Sequence, residues 1–294
     1  VGRVKERAEG SFASRRNARH VAKLAGKSGE PLSPDDWEAY FRVGAQPSSR
    51  IVKRIFRVLP SDPRCGFCGA PFTGMGGALV RPFGFRPSRK NPNLCATCIE
   101  SSPPGGATWE SGILFADLRG FTTLSETLSP VQSSAMLRRF YGQATRVLFP
   151  EALIDKLIGD EVMALYIPVF MRPGTVAVSD DDRRFAANMM VRHARELLRE
   201  VGYGTPSGPE VQLGIGLDFG EVFLGNVGGE HAHDFTAVGD VVNTAARLQS
   251  QAAGGEIVLS ARLGAHVDGS LGEVEHLTIK GKAEPVRAYR LTWA

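Results

Sequence analysis

The stretch from Leu153 to Ile167 limits the fold more than any other part of this 294-residue chain. Leu153, Asp155 and Leu157 alternate with Ile154, Lys156 and Ile158, the period of two that belongs to a strand. Gly159-Asp160 signals a tight turn, and Val162 to Ile167 is a second apolar run. Strand, turn, strand puts an aspartate on the tip of a hairpin, where its carboxylate has a stiff support. A lone Gly-Asp is most often an ordinary turn. Asp117 changes the weighting, because it ends another apolar segment, Ile113-Leu114-Phe115-Ala116. Two carboxylates at strand ends suit a metal site better than two on loops.

The segments around this hairpin alternate between strand and helix. After Asp117, Arg119-Gly120-Phe121-Thr122-Thr123 reads as a turn into a helix from about Pro130 to Leu148. A strand-end carboxylate next to exposed backbone N–H groups can hold a metal and phosphate oxygens together. Asp180-Asp181-Asp182 is expected to cap a long helix whose inner side carries Phe185, Met189, Arg192/His193 and Leu197, with His193 packed and not a ligand. Val211–Phe219 and Glu221–Val227 read as a strand pair around Gly220. A helix follows from Gly239 to Leu248, with Asn243 and Arg247 one turn apart on one face. An amide beside a guanidinium can orient a sugar and neutralise a phosphate, although such a pair by itself is more often structural. Later strands are expected at Glu256–Ser260, Val274–Ile279 and Val286–Thr292, with Lys280-Gly281-Lys282 at a strand end.

Charge divides the chain. Residues 1–110 hold 18 Lys/Arg against 9 Asp/Glu, and residues 111–294 hold 17 against 22. The basic half could meet nucleic acid or an anionic membrane surface, or dock on its own acidic half. Residues 1–32 read as a basic flexible tail. Ser33 and Pro34 then open a helix with Trp37, Tyr40 and Phe41 on one face. A second helix starts at Ser48 or Ser49, buries Ile51, Val52, Ile55, Phe56 and Leu59, and stops at Pro60. Two C-x-x-C pairs follow, Cys65/Cys68 and Cys95/Cys98. Each lets two thiolates reach one ion from a single turn, and two such turns close a tetrahedral site. Structural zinc is the main reading, with an iron–sulfur cluster or a redox thiol switch as alternatives. The residues between the pairs include Arg81, Arg86, Arg89 and Lys90 with Phe83 and Phe85, read as a solvated loop of the metal module or, alternatively, a nucleic-acid contact. Ser101 to Gly106 is the clearest linker. The domains are therefore set at 1–32 (tail), 33–100 (helical and four-cysteine module), 101–110 (linker) and 111–294 (catalytic domain). With no apolar run near the ~18 residues of a membrane span and no secretory leader, a cytoplasmic location is expected.

The blocks Phe115-Ala116-Asp117-Leu118-Arg119-Gly120-Phe121-Thr122, Lys156-Leu157-Ile158-Gly159-Asp160, Phe235-Thr236-Ala237-Val238-Gly239-Asp240 running into Val242–Leu248, and Ile279-Lys280-Gly281-Lys282 together resemble the catalytic domain of class III nucleotidyl cyclases over residues 110–294. The cysteine-rich half resembles modules that precede such domains in some bacterial proteins. The resemblance implies an α+β, ferredoxin-like βαββαβ domain that works as a homodimer with active sites at its interface. It assigns two divalent ions, Mg²⁺ or Mn²⁺, to Asp117 and Asp160, and the purine to Lys156 and Thr236. It gives ribose and transition-state phosphate to Asn243 and Arg247, and phosphate contacts to Leu118, Gly120, Phe121, Thr122 and Lys280.

The chemistry of the residues agrees. Cyclisation needs a ribose 3′-oxygen to attack the α-phosphorus while pyrophosphate leaves, and two ions about 3.5–4 Å apart can serve both oxygens. Lysine only donates hydrogen bonds and a threonine hydroxyl can accept, which complements adenine's N1 and 6-amino group. ATP is the expected substrate. Many relatives carry a pyrophosphate-contacting arginine where this chain has Gly228-Gly229-Glu230-His231-Ala232-His233-Asp234, so either weak activity or compensation by Lys280, Lys282 or Arg119 is expected. A catalytically weak or silent nucleotide-binding regulator and a guanylate cyclase are the alternative readings, and a nucleic-acid-binding N-terminal half is a third.

Overall fold

The computed structural model describes residues 33, 35, 37, 56, 59, 63–65, 68–99, 104–149, 151–171, 178–229 and 232–293. The expected basic tail and most of the two expected N-terminal helices lie outside the described residues. Two compact units emerge, Val1–Thr108 with Pro173–Val176 and Phe223–Ala237, and Trp109–Arg172 with Ala177–Val222 and Val238–Ala294.

Along the chain from Gly105 the expected strand and helix order holds. β1 (Gly105–Arg119) leads through α3 (Phe121–Thr127) and α4 (Pro130–Leu148) to the hairpin β2 (Leu153–Ile158) and β3 (Glu161–Tyr166). These labels count α1 (Gly74–Val80) and α2 (Ala96–Ile99) in the smaller unit first. The short α5 (Pro168–Met171) and the long α6 (Asp180–Glu200) precede β4 (Gln212–Gly229) and β5 (Ala232–Val238). Then come α7 (Asp240–Gln251), β6 (Glu256–Ser260), α8 (Ala261–Gly264), β7 (Val274–Leu277) and β8 (Val286–Thr292). The sheet order is β2-β3-β1-β4-β6-β8-β7, with β5 pairing β4. Its first four strands, with α4 and α6 as the connecting helices, make the βαββαβ arrangement expected from the resemblance. β1 starts at Gly105, inside the segment 101–110 expected as a linker.

Strand parity builds two faces. Leu114, Ala116 and Leu118 of β1, Val162, Ala164 and Tyr166 of β3, and Leu213, Ile215 and Leu217 of β4 share one core with Phe140, Ala144 and Leu148 of α4 and Ala186, Met190 and Leu197 of α6. Each large side chain so buried contributes about 1.5–3 kcal/mol. The alternate residues, Asp117 on β1 and Glu161 on β3, therefore lie on the opposite face of the sheet. On β4 that face carries Gly214 and Gly216. A Cβ at Gly216 would come within 2.2 Å of the Gln249 nitrogen and 2.3 Å of the Ala245 carbonyl oxygen, so glycine is what lets α7 lie directly on the sheet.

Three sequence expectations need correction. The residue capping α6 is Ser179, whose hydroxyl accepts from the Asp182 N–H while Asp182 closes a capping box. Aspartate at the third helical position stabilises the turn but does not start it. The buried face of α6 runs through Ala186, Met190, His193 and Leu197, whereas Phe185 is exposed. Gly220 makes no turn, and β4 runs unbroken past it. A Cβ there would meet Val241 at 3.1 Å, so Gly220 extends the close-approach stripe under α7.

In the smaller unit, Trp37 is fully buried and its Nε1 donates to the Pro104 carbonyl at 3.3 Å. The Trp37 N–H donates to the Ser33 carbonyl at 3.0 Å, as a helix beginning at Ser33 requires. Arg64 donates to the carbonyls of Phe56 at 2.5 Å and Leu59 at 2.6 Å, tying the end of the second expected helix to the cysteine module. Phe85 meets Phe56 edge-on with ring centres 5.0 Å apart.

Candidate active site

The site begins where β1 and the β2–β3 hairpin end together. Asp117 lies opposite Glu161 in the antiparallel register. The Leu118 N–H donates to the Asp160 carbonyl at 3.3 Å, which brings the hairpin tip to the end of β1. Gly159 at the tip has φ +61°, a left-handed value that suits glycine. The Tyr141 hydroxyl, from α4, donates to the Gly159 carbonyl and braces that tip from the helix side.

Three carboxylates thus share one corner. Burial, with the charge of Asp160, pushes Asp117 above the ordinary carboxylate range. Burial, then Asp117 and Asp160, pushes Glu161 up to about 7. Glu161 belongs to the quoted hairpin, yet its role was missed by motif reasoning. Its register opposite Asp117 is the signal that could have found it. Arg119 opposes the crowding, with Nη1 donating to Asp117 Oδ2 at 3.0 Å. Its Nη2 donates to the Gln249 carbonyl near the end of α7, and a Cβ at Gly214 would lie 2.4 Å from its Nε. Arg119 is thus an internal brace rather than a free cation. Lys282 is also engaged, donating to Asp240 at the start of α7. Neither of these two expected substitutes for the missing arginine is disengaged in this state, while Lys280 is exposed beside the buried Ile279.

Lys156 follows an irregularity in the β2–β3 register between Ile154 and Lys156, which breaks the simple alternation read from the sequence. Its half-exposed ammonium lies 3.2 Å from the carboxylate of Asp155, whose side chain is fully buried. Asn243 and Arg247 are both exposed on the outer side of α7, while Val241, Thr244, Ala245 and Leu248 face inward. Beneath α7, buried Asp218 accepts from Ser260 Oγ at 2.5 Å and Arg262 Nε at 2.6 Å. Of the expected phosphate contacts, Leu118 is buried with its N–H already bonded to Asp160. Gly120, at φ +74°, Phe121 and Thr122 open α3, where first-turn N–H groups have no partner within the helix. Thr236, in the smaller unit, is buried on β5.

The smaller unit brings the four cysteines together. Cys65, Cys68, Cys95 and Cys98 are all buried, with their sulfurs within 4.8 Å of one another. A tetrahedral ion with Zn–S bonds of about 2.3 Å sets sulfurs about 3.8 Å apart. The Cys68–Cys95 sulfur separation is 3.6 Å. Contacts from Cys68, Cys95 and Cys98 pull the Cys65 thiol well below its usual value, and the Cys65 contact pushes Cys95 and Cys98 above theirs. Four converging sulfurs are a donor set suited to a soft or borderline cation.

Residues 107–292 match the family model of the adenylate and guanylate cyclase catalytic domain, well over half the chain. The chain belongs to the class III nucleotidyl cyclases. An adenylate cyclase of Anabaena cylindrica is 30% identical over 156 residues, covering 51% of this chain and 29% of that protein. A terminal-differentiation-specific adenylate cyclase of Dictyostelium discoideum is 28% identical over 191 residues, covering 61% of this chain and 8% of that protein. The cyclase therefore spans less than a third of the length of either relative. Among solved structures, the guanylyl cyclase Cya2 is 29% identical with a TM-score of 0.52, covering 65% of this chain and all of that one. The guanylate cyclase domain of RhGC from Catenaria anguillulae shares the cyclase fold at 23% identity and a TM-score of 0.52, covering 63% of this chain and 97% of that one. Class III cyclases use divalent metals, and the all-oxygen donors at the Asp117 corner suit a hard cation. No helix among the described residues is long and apolar enough to cross a membrane.

Proposed function

We propose that this cyclase converts ATP to 3′,5′-cyclic AMP and pyrophosphate at a homodimer interface, with a zinc-holding four-cysteine module regulating it. What supports the choice of ATP is the chemistry of the two residues that the family resemblance assigns to the purine, Lys156 and Thr236. Lysine is donor-only and threonine's hydroxyl can accept, so together they match the adenine edge, whereas guanine's N1–H would face an ammonium. A mismatched buried edge leaves polar groups unpaired, which discriminates strongly. Bound Mg²⁺ or Mn²⁺ supplies the Lewis acidity that favours loss of the 3′-hydroxyl proton and takes up charge on the leaving pyrophosphate. Asp117 and Asp160 hold those ions, Asn243 orients the ribose, and Arg247 brings fixed positive charge to the α-phosphate. The N–H groups of Gly120, Phe121 and Thr122, and Lys280, receive the outer phosphates. Exposure of Asn243 and Arg247 on α7 supports a site completed by a second copy of the chain.

Turnover of ATP and GTP by the wild-type chain and by Lys156→Glu tests the assignment. Wild type is expected to favour ATP by at least roughly tenfold in kcat/KM, and the glutamate, an acceptor for guanine's N–H groups, is expected to erode or reverse that preference. A preference for GTP in the wild type, or one that Lys156→Glu leaves unchanged, rejects Lys156 as a base-reading residue. The similarity to Cya2 makes GTP the specific competitor. The engaged states of Arg119 and Lys282 favour slow turnover as a second reading.

A further inference from the structure

The loop between the two cysteine pairs reads in sequence as solvated, and Arg81, Arg86 and Arg89 are indeed exposed. Lys90 departs from that pattern. Its side chain is only 16% exposed, and its ammonium lies 2.7 Å from Asp234 Oδ1. The same ammonium donates to the Phe235 carbonyl at 2.7 Å. Both acceptors sit on β5, immediately before Thr236. A mostly buried charge on a backbone carbonyl fixes that stretch of strand in position, because leaving either group unpaired there is costly.

The other end of Lys90 leads directly to the sulfur cluster. Its N–H donates to Ser88 Oγ at 3.1 Å, and the Ser88 N–H donates to the Leu94 carbonyl at 2.8 Å. The Ala96 N–H donates to the Arg86 carbonyl at 2.8 Å, with a bridge between Pro87 and Cys95. The Cys95 N–H in turn points at Cys65 Sγ, 3.2 Å away. Residues 86–96 therefore form a small closed loop, anchored on the thiols at one end and presenting Lys90 to β5 at the other.

We propose that Lys90 is a positioning residue that couples occupancy of the four-thiol site to the strand carrying Thr236, so that the metal state of the module tunes acceptance of the purine. The link to substrate rests on the reading of Thr236 given above, whereas the mechanical coupling does not. With an ion bound, the thiols hold loop 86–96 and Lys90 stays on the Asp234–Phe235 segment. With the ion removed, the crowded thiols lose their common partner, the loop loosens and β5 loses its clamp.

The test uses the full chain, stripped with a chelator and reloaded with Zn²⁺ alone, with Lys90→Gln and Lys90→Arg beside wild type. Amide hydrogen exchange is followed at residues 232–238, with Glu256–Ser260 as the internal reference. Stripped wild type and loaded Lys90→Gln are both expected to exchange roughly tenfold faster at 232–238, with Lys90→Arg close to wild type. Stripping is expected to add little in Lys90→Gln. Wild-type exchange rates in loaded Lys90→Gln overturn the proposal, as does an equal acceleration on stripping in wild type and Lys90→Gln. In turnover assays Lys90→Gln is expected to raise KM for ATP roughly tenfold with less effect on kcat. Faster exchange with an unchanged KM leaves the coupling standing and rejects the base-reading role of Thr236.

Discussion

The four thiols and the three carboxylates are two opposite kinds of ligand set in one chain. The thiols are closed: all four are buried and converge within 4.8 Å, and among the described residues no other group of three or more His, Cys, Asp or Glu does so. The carboxylates are open. Burial and neighbouring carboxylate charge push Asp117 and Glu161 above the ordinary carboxylate range, and both, with Asp160, are only half-buried and share their corner with Arg119. A closed set with no position left for substrate suits structure, whereas an open set leaves room for phosphate oxygens and water. On the proposed reading, the closed set is the structural site and the open set is the catalytic one.

Cys95→Ser gives the largest effect that this contrast predicts. It should take the bound ion from one per chain to none, read by elemental analysis, and should loosen loop 86–96. Full retention of the ion would show that the thiols are not the ligands. Next in size, Gly216→Ala should destabilise the larger unit by about 1–3 kcal/mol, because the added methyl meets the α7 backbone and neither side can yield cheaply. Denaturant titration checks this, and a neutral result would mean α7 does not rest on β4 as described.

A smaller effect probes the open site. Glu161 holds its proton more tightly when folded, up to about 7 against an ordinary 4.5. Without divalent ions, the folded state therefore loses stability as pH rises from about 4.5 through about 7 and levels off above that. Glu161→Gln should flatten that loss, leaving the part due to Asp117, and Mn²⁺ should offset it in the wild type. Melting temperatures across this range decide it. A pH slope that Glu161→Gln leaves untouched would remove Glu161 from the charged corner.

Much of this was legible in the sequence, for reasons that differ by residue. Period-two alternation and Gly159-Asp160 gave the hairpin, and the helical run read from about Pro130 to Leu148 matches α4 at its observed bounds. The strands Glu256–Ser260 and Val286–Thr292 also stand where expected. The glycines of β4 were harder. A glycine that makes a turn and one that admits a helix look alike in a single sequence, and Gly220 was read as the first when it is the second. Arg119 and Lys90 were harder still. Local pattern marks a basic side chain as solvated, and only the fold shows that Arg119 spans from Asp117 to α7 and Lys90 reaches β5, 145 residues away. Glu161 could have been found by pairing the strands on paper, since register alone sets it opposite Asp117.

The most direct test is product formation by the wild type and Asp117→Asn, each carrying its cysteine-bound ion and supplied with ATP and Mn²⁺. The account predicts cyclic AMP and pyrophosphate in equal amounts from the wild type. From Asp117→Asn it predicts a loss of at least about a thousandfold, with the chain folded and its cysteine-site metal unchanged. Sustained turnover by Asp117→Asn, or a wild type that binds ATP with Mn²⁺ and releases no pyrophosphate, would contradict it.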